Sequence, residues 1–387
     1  MHAPITISGG GIIGNYIAIR LKRNNIDTVI IEKSKDEESS LPDIRTLTLN
    51  NHSVSLLEEE GIVIDTAPIK EIHAMDGEGS GKIQFSSDDI NENYLSHVVS
   101  FNVLQNALKQ RCKNATIFSN EIKSIQNLNN ENIYEVILSD DRAIKTSLIA
   151  GCDGRNSKVA KISGLSSIYS EYRQTAITFI AEIENSMDIE TAFQVFSEKG
   201  IFALMPVINK DNRNNRCTIV WSIDNNRLEK KDIKNYVKKN LCYFESKLNM
   251  KIKVHSEILS FKLSKHYFED YSKESVVLIG DAAHSIHPLA GQGINLGFAD
   301  ADIFCEEIIK AFSKGFPINE NVVLKRYEIR RKGMNLLMLR SMDFFVNFFS
   351  NSNLYVRLIR NWGLNRINKT RFLKAFFIKH ASGINKI

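Results

Sequence analysis

Apolar and polar positions change period several times along the chain, and each change predicts an element. Ile5–Ser8 and Thr28–Glu32 are short β-rich runs separated by a glycine-rich turn and a helical stretch over about Gly14–Arg23, a βαβ start. Asn24 and Asn25 fill the turn after that helix, where asparagine tolerates the left-handed backbone such a turn needs. The pattern predicts a helix over 46–61 ending at Gly61, short strands with turns over 70–100, and a helix over 101–112. Strands alternate over 115–150 around an asparagine-rich turn, and 174–265 reads mostly β with one helix near 231–247. Val276–Ile279 is a β-branched run, and everything after 297 reads helical. Runs of strands beside a βαβ unit predict an α/β fold: a Rossmann-like domain with a β-rich insertion and C-terminal helices.

The composition is that of an ordinary globular chain, 43% hydrophobic and 25% charged over 387 residues. No apolar run is long enough to span a bilayer. The strand at Ile5 leaves no room for a secretory signal ahead of it. Five scattered cysteines without a CxxC pair, and nine histidines without ligand spacing, predict reduced thiols, a cytoplasmic setting and no metal site. Charge changes the picture more. Lys325–Ile387 holds 14 Lys/Arg against Glu328 and Asp343, a net +12, which leaves −7 on residues 1–324 of a chain whose total is +5. Two readings fit: a tail for an anionic surface, or a basic helical face that is solvated or paired with the acidic body.

Three motifs carry chemistry. Gly9-Gly10-Gly11-Ile12-Ile13-Gly14 follows a strand and opens a helix, and Glu32 ends the next strand. In that setting Gly9 makes the turn, Gly11 admits a pyrophosphate, and Gly14 lets helix pack on sheet. Glu32 is placed to accept from ribose hydroxyls and to repel a 2′-phosphate, so the expected dinucleotide is FAD or NAD. Gly151–Ser157, GCDGRNS, is a turn after an apolar strand, and its Cys152 reads as a structural thiol rather than a nucleophile. Gly77–Lys82 resembles a phosphate loop but lacks its spacing, and predicts a hairpin turn. The third motif, Gly280–Ala301, reads GDAAHSIHPLAGQGINLGFADA: an acid at a strand end, then a proline and a Gly-x-Gly turn opening a helix, able to approach a flat ligand closely.

In this order the three motifs resemble the class A flavoprotein aromatic hydroxylases, the group of para-hydroxybenzoate hydroxylase. HPLAGQGINLGFAD, the tail RYEIRRKGMNLLMLRSMDFFVNFFSN and FLKAFFIKHASG are similar to the ubiquinone-biosynthesis hydroxylases among them. The resemblance implies an FAD-binding domain over 1–70, 97–170 and 266–320, a substrate domain over 71–96 and 171–265, and a helical region over 321–387. It implies FAD, with Gly9, Gly11, Gly14 and Glu32 on its ADP half and Asp281 at the ribityl and pyrophosphate region. Pro288 and the Gly291-Gln292-Gly293 backbone would lie beside the isoalloxazine ring, with Asn295 behind. Arg45, Gln105 and Asp153 would also face the cofactor. NAD(P)H would bind transiently, and the expected reaction is hydroxylation of a polyprenylated phenol through a flavin hydroperoxide formed with O₂. Pro288 offers a rigid wall. His287 is a candidate for managing a phenol proton or a structural prop. The expected partners are a lipid-soluble phenol, a membrane surface and a ubiquinone biosynthetic complex, with no nucleic acid. The expected location is peripheral at the inner membrane. A hydroxylase for a small soluble aromatic and a non-catalytic scaffold subunit are the alternatives.

Overall fold

The computed structural model describes residues 2–36, 44–128, 133–184, 190–208, 215–228, 232–287, 291–350 and 354–381. Its helices are α1 Ile12–Arg23, α2 Asn51–Glu59, α3 Phe101–Cys112, α4 Lys158–Ile162, α5 Asn225–Leu228, α6 Ile233–Leu248, α7 Gln292–Ser313, α8 Asn321–Ser350, α9 Leu354–Asn368 and α10 Arg371–Ala381.

Five strands build a parallel sheet in the spatial order Val276–Leu278, Ala143–Gly151, His2–Ser8, Thr28–Ile31, Thr116–Ile117. Its central strands are apolar because helices cover both faces. Ile5, Ile7 and Ile30 share one core with Ile17 and Leu21 of α1 and Phe298 and Phe304 of α7. An antiparallel flap, Ile122–Asn127 and Tyr134–Leu138, extends from Ala143–Gly151.

A second, nine-stranded sheet centres on the long strand Ser167–Ile183, flanked by Leu259–Phe268 and Arg216–Asp224. It runs on through Gly200–Pro206 and Thr191–Ser197 to the hairpin Glu71–Asp76/Lys82–Ser86. The segment Gly77–Lys82 is thus a hairpin turn. Residues 167–170 and 266–268 pair within this sheet, although the expected boundaries put them in the first domain. α6 closes one face, with Phe244 stacked on Phe202 at 4.2 Å between ring centres and Trp221 buried beside them.

One expected element changes. Thr46–Asn50 is a strand, and the helix starts only at Asn51. Thr46-Leu47-Thr48-Leu49 alternates with period two, which suits a strand with one buried face. The Asn50 side chain accepts from the Ser53 N–H at 2.8 Å and so fixes where the helix begins. Elsewhere Asn25 takes the left-handed conformation expected of it, φ 60°.

The C-terminal helices are fastened to the second sheet. Leu339, Met342, Val346 and Phe349 of α8 pack against Phe196, Ile201, Ile286 and Leu296. Arg360 of α9 is buried against Asp76, with Nε and Nη2 at 2.8 and 2.7 Å from Oδ2. Its Nη1 donates to the carbonyls of Phe348 and Phe349 at 3.0 Å. That satisfies two of the carbonyls left open at the end of α8.

Candidate active site

The C-terminal ends of three adjacent parallel strands lie side by side and carry the three motifs. The turns are cross-tied: Gly9 N–H donates to the Ile31 carbonyl (2.8 Å), Cys152 N–H to Ser8 (2.7 Å) and Ile279 N–H to Gly151 (3.0 Å). Ligands of open α/β sheets bind at such an edge.

The first turn is held closely. Gly9 has φ 103°, and a β-carbon there would collide with the Cys152 carbonyl. A β-carbon on Gly14 would strike the Gly9 carbonyl oxygen. Gly11 differs, since a β-carbon there meets nothing within 4 Å. Two glycines therefore serve packing, and the third faces open space. The Gly10 carbonyl accepts from Gln105 Nε2 (2.7 Å) and Asn15 Nδ2 (2.8 Å), while its N–H donates to Glu32 Oε2 at 2.6 Å. Glu32 Oε1 accepts from Ser34 N–H at 2.8 Å. Each carboxylate oxygen keeps a further lone pair for an outside donor.

In the second turn, Asp153 Oδ2 caps α4 by accepting from Lys158 and Val159 N–H at 2.7 and 3.2 Å. Cys152 is an unpaired thiol whose pKa burial pushes up. That suits a structural role, since the thiolate is the nucleophile.

In the third turn, Asp281 is exposed, while its carbonyl accepts from buried His266 Nε2 at 2.8 Å. Arg45 stacks on Phe101 with Cζ 4.2 Å from the ring centre. Arg45 is exposed as a residue, yet enough protein surrounds its guanidinium to desolvate it. That burial lowers its pKa, Asp281 opposes the shift and Arg155 adds to it. Arg155 lies in the second motif, but nothing in the sequence brings it to Arg45 and Asp281.

The α7 N-terminus completes the edge. Its cap is Gly291, φ 65°, with no side-chain cap, and Gln292 and Gly293 form the first turn. A β-carbon on Gly291 would press on Thr48, whereas Gly293 faces open space. Asn295 Oδ1 accepts from Asn50 N–H and Ser53 Oγ, both 2.9 Å, and its Nδ2 donates to the Thr48 carbonyl at 2.9 Å. Its amide is fully engaged by protein, so Asn295 docks α7 on Thr46–Asn50 and α2 and has no group left for a ligand. Pro288 lies outside the described residues.

The surroundings of His287 favour the structural of its two readings. The ring is fully buried, and its Nε2 lies 2.8 Å from Gln174 Oε1. Burial lowers its pKa to about 4, against a small opposing pull from Asp343. It is therefore neutral near pH 7, without the near-neutral titration a proton carrier needs. The shift has a consequence for stability. The unfolded chain takes up this proton near pH 6.5 and the folded one only near pH 4. Stability from this group is full above pH 6.5 and falls by about 3 kcal/mol as the pH drops toward 4. Urea titrations from pH 7.5 to 4 should show that slope, and His287→Gln should flatten it.

A second buried cluster was not legible in the sequence. Asp300 of α7 accepts from Gly280 N–H (3.1 Å), Arg331 Nε (2.7 Å) and Asn335 Nδ2 (2.9 Å), and contacts His284 Nε2 at 2.6 Å. It joins the third turn to α8. The only hint is that Arg331 and Asn335 stand four apart and share one helix face.

The edge fits a dinucleotide with a flat ring. Gln105 Oε1 and Asp153 Oδ1 are buried without a hydrogen-bond partner among the described residues. Two helices, α1 and α7, open on glycines without side-chain caps, leaving free N–H groups and positive dipole ends for phosphate and for a ring that gains negative charge. No group of metal-ligating side chains occurs among the described residues.

Comparison with known proteins agrees. A family model described as FAD binding domain matches residues 2–335. The chain is similar to the mitochondrial ubiquinone biosynthesis monooxygenase COQ6 of Dictyostelium discoideum, 29% identical over 98% of this chain and 91% of that protein. It is similar to the 3-demethoxyubiquinol 3-hydroxylase of Escherichia coli, 28% identical over 98% of both. Its fold matches p-nitrophenol 4-monooxygenase PnpA from Pseudomonas putida, with a TM-score of 0.78 and 14% identity over 98% of each chain. It also matches Klebsiella pneumoniae HpxO complexed with FAD and uric acid, with a TM-score of 0.78 and 16% identity over 98% and 97% of the two chains. The chain belongs to the FAD binding domain family and is an FAD-dependent monooxygenase.

Proposed function

We propose that this enzyme hydroxylates the aromatic ring of a polyprenylated phenol in ubiquinone biosynthesis, with NAD(P)H and O₂ as co-substrates. The observation that carries the reading is the full-length likeness to a ubiquinone biosynthesis monooxygenase and a 3-demethoxyubiquinol 3-hydroxylase, supported by the glycine turns and uncapped helix starts at the sheet edge.

Each residue has a task in that reading. Gly11 and the α1 N-terminus take the pyrophosphate, with Gly9 and Gly14 shaping the turn. Glu32 accepts from the adenosine ribose. Gln105 and Asp153 offer their unpartnered oxygens to the cofactor, and Arg45 and Asp281 line the cleft beside it. FAD, when bound, supplies the redox and oxygen chemistry. The Gly291-Gln292-Gly293 backbone at the α7 N-terminus stabilises negative charge on the ring. His287, neutral and enclosed, holds the loop and carries no proton.

The tail fits a lipid surface in part. Phe344, Tyr355, Trp362 and Phe372 are exposed among the basic residues, while Phe349 is buried and stacks on Phe196 at 3.9 Å. The phenylalanine run is thus divided between core and surface. No described helix is long and apolar enough to cross a membrane. Aromatics interleaved with Lys/Arg suit interfacial binding that collects a lipid substrate. The protein should sediment with anionic liposomes at low salt and release at high salt. A Trp362→Ser/Phe372→Ser variant that sediments equally well would remove the lipid role.

The purified protein tests the enzymatic part. It should be yellow with an oxidised-flavin spectrum, bleach anaerobically with NADH or NADPH, and recover its colour with O₂. A colourless protein that takes up no FAD would sink the proposal.

A further inference from the structure

The long strand Ser167–Ile183 is irregular at one place. It pairs with Leu259–Phe268 as far as Glu171 opposite Ser264 and resumes with Gln174 opposite Leu263. Tyr172 and Arg173 are surplus, and Arg173 takes a left-handed backbone with φ 53°. A bulge of this kind redirects side chains, and left-handed non-glycine residues persist only where surrounding structure enforces them.

The bulge directs two side chains at His287. Gln174 Oε1 lies 2.8 Å from the ring nitrogen Nε2. The Tyr172 and His287 rings meet edge to face at 5.1 Å. The Tyr172 hydroxyl in turn donates to Asp343 Oδ1 of α8 at 2.9 Å. Asp343 Oδ2 takes Lys265 Nζ, from the neighbouring strand, at 2.5 Å. A chain of contacts through the neighbouring strand, α8 and the bulged strand thus ends on one residue, His287. That residue stands four positions before Gly291, the uncapped start of α7. His284 is separately fixed by Asp300, so this brace acts on the far end of the same loop.

We propose that Gln174 and Tyr172 are positioning residues for FAD, holding His287 so that the α7 N-terminus is presented to the cofactor. Neither belongs to the three motifs, and both come from the second sheet. The inference rests on FAD being the cofactor and is independent of which phenol is hydroxylated. Losing Gln174 leaves a buried imidazole N–H without its acceptor, so the loop must shift to find another partner.

The test uses full-length apoprotein reconstituted with FAD, read by quenching of FAD fluorescence on binding and by iodide quenching of the bound flavin. Gln174→Ala should weaken FAD binding by about 10-fold and expose the flavin to iodide. Tyr172→Phe, which keeps the ring and removes only the hydroxyl, should give a smaller loss of about 3-fold with the same sign. Tyr169→Ser, exposed on the same strand outside the bulge, should bind FAD as the parent does. If Gln174→Ala does not fold, Tyr172→Phe decides alone. Variants that fold and melt at lower temperature, yet bind FAD with parental affinity and parental iodide protection, would reduce the brace to ordinary packing and overturn the proposal.

Discussion

Replacing Asp300 by alanine should destabilise the protein by about 3–5 kcal/mol, the largest effect expected of any single substitution here. Asp300 is completely buried, and four partners converge on its two oxygens. Burial alone would raise its pKa; His284 and Arg331 outweigh that and hold the carboxyl well below the usual range. Removing it strands the Arg331 guanidinium, whose side chain is only 10% accessible, in the interface between α7 and α8. It also frees Gly280 N–H and His284 on the third turn. Urea unfolding at pH 7 measures the loss. Asp300→Asn should fall between parent and alanine variant, since its carbonyl oxygen can still accept from Arg331 and Asn335. The group also contributes to acid sensitivity: its stabilisation is present above the unfolded carboxyl pKa near 4 and fades as the pH falls below it. The alanine variant should therefore lose part of the parent's acid slope.

Gly14→Ala should abolish useful FAD binding while leaving most of the fold intact. The added methyl would strike the Gly9 carbonyl, a backbone atom that cannot rotate away. Either α1 moves off the sheet or the turn at Gly9 opens. Both change the distance between the α1 N-terminus and the pyrophosphate site. Losing one or two hydrogen bonds to the pyrophosphate costs on the order of 100-fold in affinity, so the protein should purify without yellow colour. Gly333→Ala is the matching control. Gly333 lies within α8 with nothing within 4 Å of the added carbon, so alanine there should raise stability by up to about 1 kcal/mol and leave FAD content unchanged.

These two sites show what a sequence can reveal here and what it cannot. Gly9, Gly11 and Gly14 are legible because a tight turn, a phosphate approach and a helix crossing each demand glycine at a fixed spacing within one continuous segment. The Gly77–Lys82 hairpin was legible for the same local reason. Asp300 lies in a motif that was read, but its partners Arg331 and Asn335 lie on another helix, and only the packing of α8 brings them together. The brace on His287 is hidden more deeply, because it depends on a bulge that shifts register by two residues. Nothing in Glu171-Tyr172-Arg173-Gln174 announces a left-handed residue. The alternation at Thr46–Asn50 spans only two leucines and runs straight into the helix at Asn51, so the sequence predicts one helix over both. Pairing with Ser96–Ser100 and the Asn295 contacts decide its conformation.

The most direct test of the proposed function is quinone analysis of cells from which this chain has been deleted. The account predicts loss of ubiquinone and accumulation of a prenylated phenol lacking one ring hydroxyl, both reversed by the parent chain and not by Gly14→Ala. An unchanged quinone profile in the deleted cells, with no other hydroxylase of this kind present, would contradict it.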